Sequence, residues 1–156
     1  MKKLLITSLC IAALVACNSS SEESQETTEK STSSTSTGNP SYDPNRGEGK
    51  FTKVDLSEKL DATKATAGEK VYSVKCSSCH KLTDEKLVGP GWKGVTSRHT
   101  PEWILNFSTN TDAMINKDPK AQAMLEICLV RMPNQNISDD EALSVYEYMR
   151  KNDGVK

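Results

Sequence analysis

The sequence has 156 residues, with 20 basic and 21 acidic side chains and a formal net charge of −1. That length suits one folded domain, and a hydrophobic fraction of 35% allows only a modest core. From Phe51 onward 15 basic residues face 15 acidic ones, which gives no support for a nucleic-acid partner and no strong steering field.

Met1-Lys2-Lys3 precedes a run from Leu4 to Ala16 that is almost all apolar. A charged start and an apolar stretch too short to span a bilayer read as a signal peptide over residues 1–16. Leu14-Val15-Ala16-Cys17 resembles the lipobox of bacterial lipoproteins. The resemblance implies cleavage before Cys17 and lipidation of its thiol. The mature chain is then expected to sit outside the cytoplasm of a bacterium, held by acyl chains to a membrane and facing the periplasm or cell surface. Residues 17–50 are rich in Ser, Thr and Glu. Such a stretch buries too little apolar surface to offset chain entropy and reads as a disordered tether, with an r.m.s. span of about 30 Å. Residues 51–65 form an approach segment. Phe51, Val54, Leu56 and Leu60 either pack on the head as an extended arm with a short helical turn, or belong to a mobile linker.

The folded head is expected over residues 66–156, with a helix opening at Thr66 or Ala67. Gly68, Tyr72 and Cys76 recur at four-residue spacing and share one helix face. Glycine is unfavourable inside a helix, so Gly68 implies close approach of another backbone. The helix leads into Cys76-Ser77-Ser78-Cys79-His80. The C-x-x-C-H spacing reads as c-type haem attachment. Each thiol can add across a vinyl group, and His80 then lies under the iron as the proximal ligand. A thioredoxin-like dithiol wants a buried strand before the pair, which Glu69–Lys75 is not. A zinc site wants a second ligand pair, and only His99 and Cys128 remain in the head.

Gly89-Pro90-Gly91 is turn chemistry. Trp92 is assigned first to the core and second to a haem lining. Thr100 and Pro101 are suited to the N-cap and first position of a helix whose apolar face is Trp103, Ile104 and Phe107. Asn110-Thr111-Asp112 is expected to break it. Asp118-Pro119 opens another helix in the same way, with Ala121, Met124, Leu125, Cys128 and Leu129 inward. Ser138-Asp139-Asp140-Glu141 is a capping box for a last helix carrying Leu143, Val145, Tyr146, Tyr148 and Met149, with Gly154 just past its end. A crossing of the first and last helices at Gly68, with Tyr72 against Val145 and Tyr148, would close an all-α fold.

From about residue 66 the chain resembles a class I cytochrome c. The matching features are Gly68 and Tyr72, Cys76-Ser77-Ser78-Cys79-His80, Gly89-Pro90-Gly91-Trp92-Lys93-Gly94, Met132-Pro133 and Tyr146-Glu147-Tyr148-Met149-Arg150-Lys151. Each motif is weak alone; their order and separations are specific. The resemblance implies an all-α class I cytochrome c fold, its helices and loops wrapped round one covalently attached haem c. It also implies that the Pro90 carbonyl holds the second nitrogen of His80 and that Met132 is the distal iron ligand, a soft thioether that raises the potential. Met114, read as a loop residue, and His99 compete for that place; Met124 and Met149 fall at core spacing. The interval from His80 to Met132 is shorter than in mitochondrial-type members, which suggests a compact bacterial form. Cys128 is left over and takes a core seat.

The expected function is that of a membrane-tethered one-electron carrier working by outer-sphere transfer, not an enzyme. The alternatives are a haem-based ligand sensor or peroxidase with a labile distal ligand, and a non-haem dithiol lipoprotein. The expected partners are respiratory redox proteins: a terminal oxidase, a quinol-oxidising complex or nitrous oxide reductase. The last rests on the likeness of Pro101-Glu102-Trp103 and Asp118-Pro119-Lys120 to cytochromes associated with that system.

Overall fold

Six helices order residues 42–156, the part of the chain that the computed structural model describes: α1 (Ala62–Lys75), α2 (Val95–Arg98), α3 (Pro101–Thr109), α4 (Thr111–Lys117), α5 (Pro119–Cys128) and α6 (Asp139–Asn152). The expected signal peptide, Cys17 and most of the expected tether lie outside the described residues. Among the described residues β pairing is confined to one isolated bridge between His80 and Lys86, in keeping with an all-α fold. No described helix is long and apolar enough to cross a membrane.

Helix α1 begins at Ala62, earlier than the expected Thr66. Asp61 is its N-cap, its carboxylate accepting from the Lys64 N–H at 2.9 Å, and such a cap contributes about 1 kcal/mol. The boundary placed at residue 66 therefore falls inside a helix. Helix α6 carries the expected capping box between Ser138 and Glu141. These two helices cross where Gly68 meets Ser144: a Cβ on Gly68 would overlap the Ser144 carbonyl oxygen and lie 2.8 Å from the Val145 nitrogen. Close by, the Tyr72 and Tyr148 rings stack at a tilt, 5.4 Å between centroids. Ala142, Val145, Tyr146 and Met149 of α6 are buried.

The approach segment is extended, with no helical turn before Ala62. Phe51, Val54 and Leu56 pack against the core. Its later part is held by a buried ion pair on α6, Glu147 with Arg150 at 2.7 Å. Buried pairs are costly unless their remaining hydrogen-bonding capacity is used. Here Glu147 accepts from the Asp61 N–H, and Arg150 donates to the Ser57 and Glu58 carbonyls.

Two expectations about the middle of the chain are corrected. Asn110 ends α3 but also starts α4, so Met114 is not in a loop; it is fully buried in α4. Leu129 is not inward. It is the C-cap of α5 in the left-handed region, φ 60°, and this turn swings its side chain out to 84% exposure.

The end of the expected tether is also folded onto the head. Tyr42 donates to Asp118, the Glu48 N–H donates to the Met114 sulfur at 3.0 Å, and the Phe51 N–H donates to Asn106 Oδ1 at 2.9 Å. The Asn106 amide returns two hydrogen bonds, to the Arg46 and Phe51 carbonyls, both at 2.9 Å. Asn106 can be fully buried because this arm satisfies it.

Candidate cofactor site

The Cys76–His80 motif is a tight turn running straight out of α1. The Cys76 N–H still bonds back to Tyr72, and the Cys79 and His80 N–H groups both donate to the Cys76 carbonyl. The Cys79 carbonyl in turn accepts from Val88 and Gly89, which brings the Gly89-Pro90 turn against His80. A Cβ on Gly89 would overlap the His80 ring, so only glycine lets the turn lie flat on the imidazole.

His80 Nδ1 lies 2.9 Å from the Pro90 carbonyl oxygen. A carbonyl can only accept, so Nδ1 carries the proton and Nε2 keeps its lone pair. Burial lowers the His80 pKa, with the Pro90 bond opposing more weakly; the net effect favours the neutral ring, the form that ligates metals. From behind, the Tyr72 hydroxyl donates to the His80 carbonyl at 2.7 Å. Trp92 is buried, its ring 5.0 Å from Tyr72 and 5.5 Å from His80 between centroids. It fills the core behind the histidine and is not part of the cleft wall. Burial pushes the Cys76 thiol up to about 11, with Lys75 pulling the other way. Cys76, Cys79 and Cys128 are all free thiols in the described chain.

In front of His80 lies an apolar cleft of about 570 Å³, including its open mouth. Cys79, His80 and Pro90 form one wall; Met124 of α5 and Met132-Pro133 of the following loop lie on another; Phe107 and Ile115 line it from α3 and α4. The structure thus brings Cys79, His80, Pro90 and Met132 to one space. It does not bring Met114 or His99 there. The Met114 sulfur already accepts from Glu48. The His99 ring stacks on Trp103 at 4.1 Å, and its buried Nδ1 has no hydrogen-bond partner among the described residues.

The donor set fits a haem c: two thiols at the right spacing, an imidazole with one nitrogen committed to a carbonyl, a thioether on the same cleft, and an otherwise apolar lining. Four contributors escaped the sequence reading. The role of the Tyr72 hydroxyl is invisible in a spacing argument that only places its ring. Gly89 looked like turn chemistry alone. Met124 and Cys128 were assigned to the core, yet both line the cleft; their helical spacing gave the inward face correctly but not what that face meets.

Residues 65–153 match the Cytochrome c family. Among solved structures, cytochrome c from Rhodothermus marinus is similar at 31% identity and a TM-score of 0.65, covering 67% of this chain and 90% of that one. An engineered form of the same Rhodothermus marinus protein is similar at 30% identity and a TM-score of 0.65, with the same coverage. No curated protein matches the sequence.

Proposed function

The chain belongs to the cytochrome c family, whose members hold covalently attached haem c, and on that premise we propose that it is a membrane-tethered one-electron carrier between respiratory redox proteins. The haem, when bound, supplies a ferrous–ferric couple. Cys76 and Cys79 anchor it covalently, and His80 presents Nε2 to it in an orientation fixed by Pro90. Met132 would hold the iron from the other side of the cleft, and a thioether there would raise the potential relative to more basic ligands. His80 and Met132 would between them leave the iron no open position for a substrate, which suits outer-sphere transfer of single electrons. The observation that carries this reading is that His80 and Met132 line one apolar cleft while Met114 and His99 are engaged elsewhere.

Cys17 carries the lipid anchor, and the tether lets the head meet its partners outside the cytoplasm. Those partners are a terminal oxidase, a quinol-oxidising complex or nitrous oxide reductase. Leu87, Val88, Ile127 and Val130 are exposed and belong to the chain segments beside the cleft. A rim of that kind, on a head of balanced charge, favours brief docking through a small apolar contact.

The test is the absorption of the haem-loaded ferric protein. The far-red band of a thioether–iron bond should be present in the wild type, be lost in Met132→Ala, and persist in Met124→Leu, Met114→Leu and His99→Gln. A band that survives Met132→Ala refutes the distal assignment. Incorporation of labelled palmitate that persists in Cys17→Ala refutes the anchor.

A further inference from the structure

The arm from Tyr42 to Phe51 lies wholly outside the family match, which begins at residue 65, yet it is bonded into the head. Most of its attachments are on α3, α4 and α5; one further ion pair joins Lys50 to Asp139 at the start of α6, at 2.5 Å. Asn106 of α3, Met114 of α4, and Asp118 and Lys120 at the start of α5 each hold it, through Phe51, Glu48, Tyr42 and Pro44 respectively. Asn110 adds a bond to the Glu48 carbonyl at 3.2 Å, and Lys117 pairs with the Glu48 carboxylate at 3.2 Å.

These grips sit directly behind the cleft. Phe107, Ile115 and Ala121 line it, and each follows an arm-bound residue in sequence: Asn106, Met114 and Lys120. Helix α5 packs chiefly on α4, and the α4–α5 pair has little contact with the crossed α1–α6 pair. The α4–α5 unit is therefore joined to the rest of the head mainly through α3 and through the arm. Helix α5 runs directly into the loop that carries Met132.

We propose that residues 42–51 are a positioning strap. By fixing α4 and α5 against α3 they hold the Met132 loop closed over the cleft, and so set how readily a small outside ligand displaces Met132 from the iron. This rests on Met132 being the distal ligand. Local opening of an element has a free energy of its own, below that of global unfolding, and removing contacts made only in the closed form raises the open population directly.

Two glycines let the strap be loosened by a change made in the strap itself. Gly47 has φ +67°, and a Cβ there would lie 2.5 Å from the Met114 sulfur; a Cβ on Gly49 would overlap the Asn106 amide. Either substitution breaks the present fit, so that the strap shifts or the Met114 or Asn106 side chain leaves its place, and the grip is lost in both cases. In the haem-loaded full-length protein, Gly47→Val and Gly49→Val should each speed imidazole uptake by the ferric form by about tenfold, with covalent haem content unchanged. Hydrogen exchange at the Glu48 and Phe51 amides should quicken alongside. Ala142→Gly in α6 weakens the fold by about 1 kcal/mol away from the strap's attachments on α3, α4 and α5 and should leave the uptake rate within about twofold of wild type.

The proposal is overturned if the strap variants stay within that twofold, or if Ala142→Gly speeds uptake as much as they do. Should neither valine variant fold, Tyr42→Phe, which only removes the hydroxyl on Asp118, should raise the rate about threefold; an unchanged rate there also overturns it. A wild-type protein without the thioether–iron band is a different failure, since it refutes the assignment of Met132 before the strap is tested.

Discussion

Gly68→Ala sets two physical effects of opposite sign against each other. Helix propensity alone says that alanine stabilises α1 by about 1 kcal/mol. The crossing says otherwise, because the new Cβ would overlap the Ser144 carbonyl oxygen. That obstacle is backbone, inside a capped helix, and cannot rotate away as a side-chain tip could. Overpacking of this kind costs about 1–3 kcal/mol, and a rigid obstacle puts it at the upper end. The expected net effect is a destabilisation of about 2 kcal/mol. For a folded unit of about 115 residues the unfolding entropy is about 0.24 kcal/mol/K, so the midpoint of thermal unfolding should fall by about 8 °C. The assay is far-UV circular dichroism of the haem-loaded protein on heating. A midpoint that rises by a few degrees would mean that the two helices do not meet at Gly68.

Two further outcomes are expected. Tyr72→Phe removes the donor to the His80 carbonyl while keeping the ring between Trp92 and Tyr148; stability in denaturant should drop by about 1–1.5 kcal/mol with haem attachment intact, and an unchanged midpoint would show that the bond contributes nothing. His99 has its pKa lowered by burial, then by Lys120 and Arg98. Above the ordinary value of 6.5 both folded and unfolded forms are neutral, so it contributes nothing there; as pH falls through 6.5 the unfolded ring protonates first and stability is lost. Denaturant midpoints should therefore decline between pH 7 and pH 5 more steeply in the wild type than in His99→Gln, and parallel declines would refute a buried neutral His99.

The elements that were legible in the sequence are those whose signals are local. The caps at Thr100, Asp118 and Ser138 were read correctly because a side-chain oxygen three positions before a backbone N–H is a short-range pattern. The crossing at Gly68 was legible because a glycine inside a helix has few other reasons to be there. The Asp61 cap was missed because the residues after it, Ala62-Thr63-Lys64, carry no apolar period to announce a helix; α1 is held by its contact with α6, not by an apolar stripe. The arm was missed for a related reason. Arg46-Gly47-Glu48-Gly49 has the composition of a linker, but its binding energy lies in backbone groups that meet Asn106 and Met114 more than 50 positions away. Pairings of that kind leave no trace in hydrophobic periodicity. At the cofactor site the thiols, imidazole and proline stood out by spacing, whereas Met114 was misplaced because the break at Asn110 between α3 and α4 looks like a loop in sequence and is only a corner in space.

Asp153 accepts from the Gly94 N–H at 2.6 Å and from the Thr96 N–H and hydroxyl, while Asn152 donates to the Leu82 carbonyl across 70 positions of chain. The stretch between Leu82 and Thr96, which folds the proline against the imidazole, is therefore latched by the last turn of α6. A polypeptide made or threaded N-terminus first exposes Cys76 and Cys79 well before that latch exists. Until the far end arrives, both sulfurs stand beside an unshut flap, so the order of emergence itself leaves an interval in which a bulky macrocycle can be installed and then enclosed.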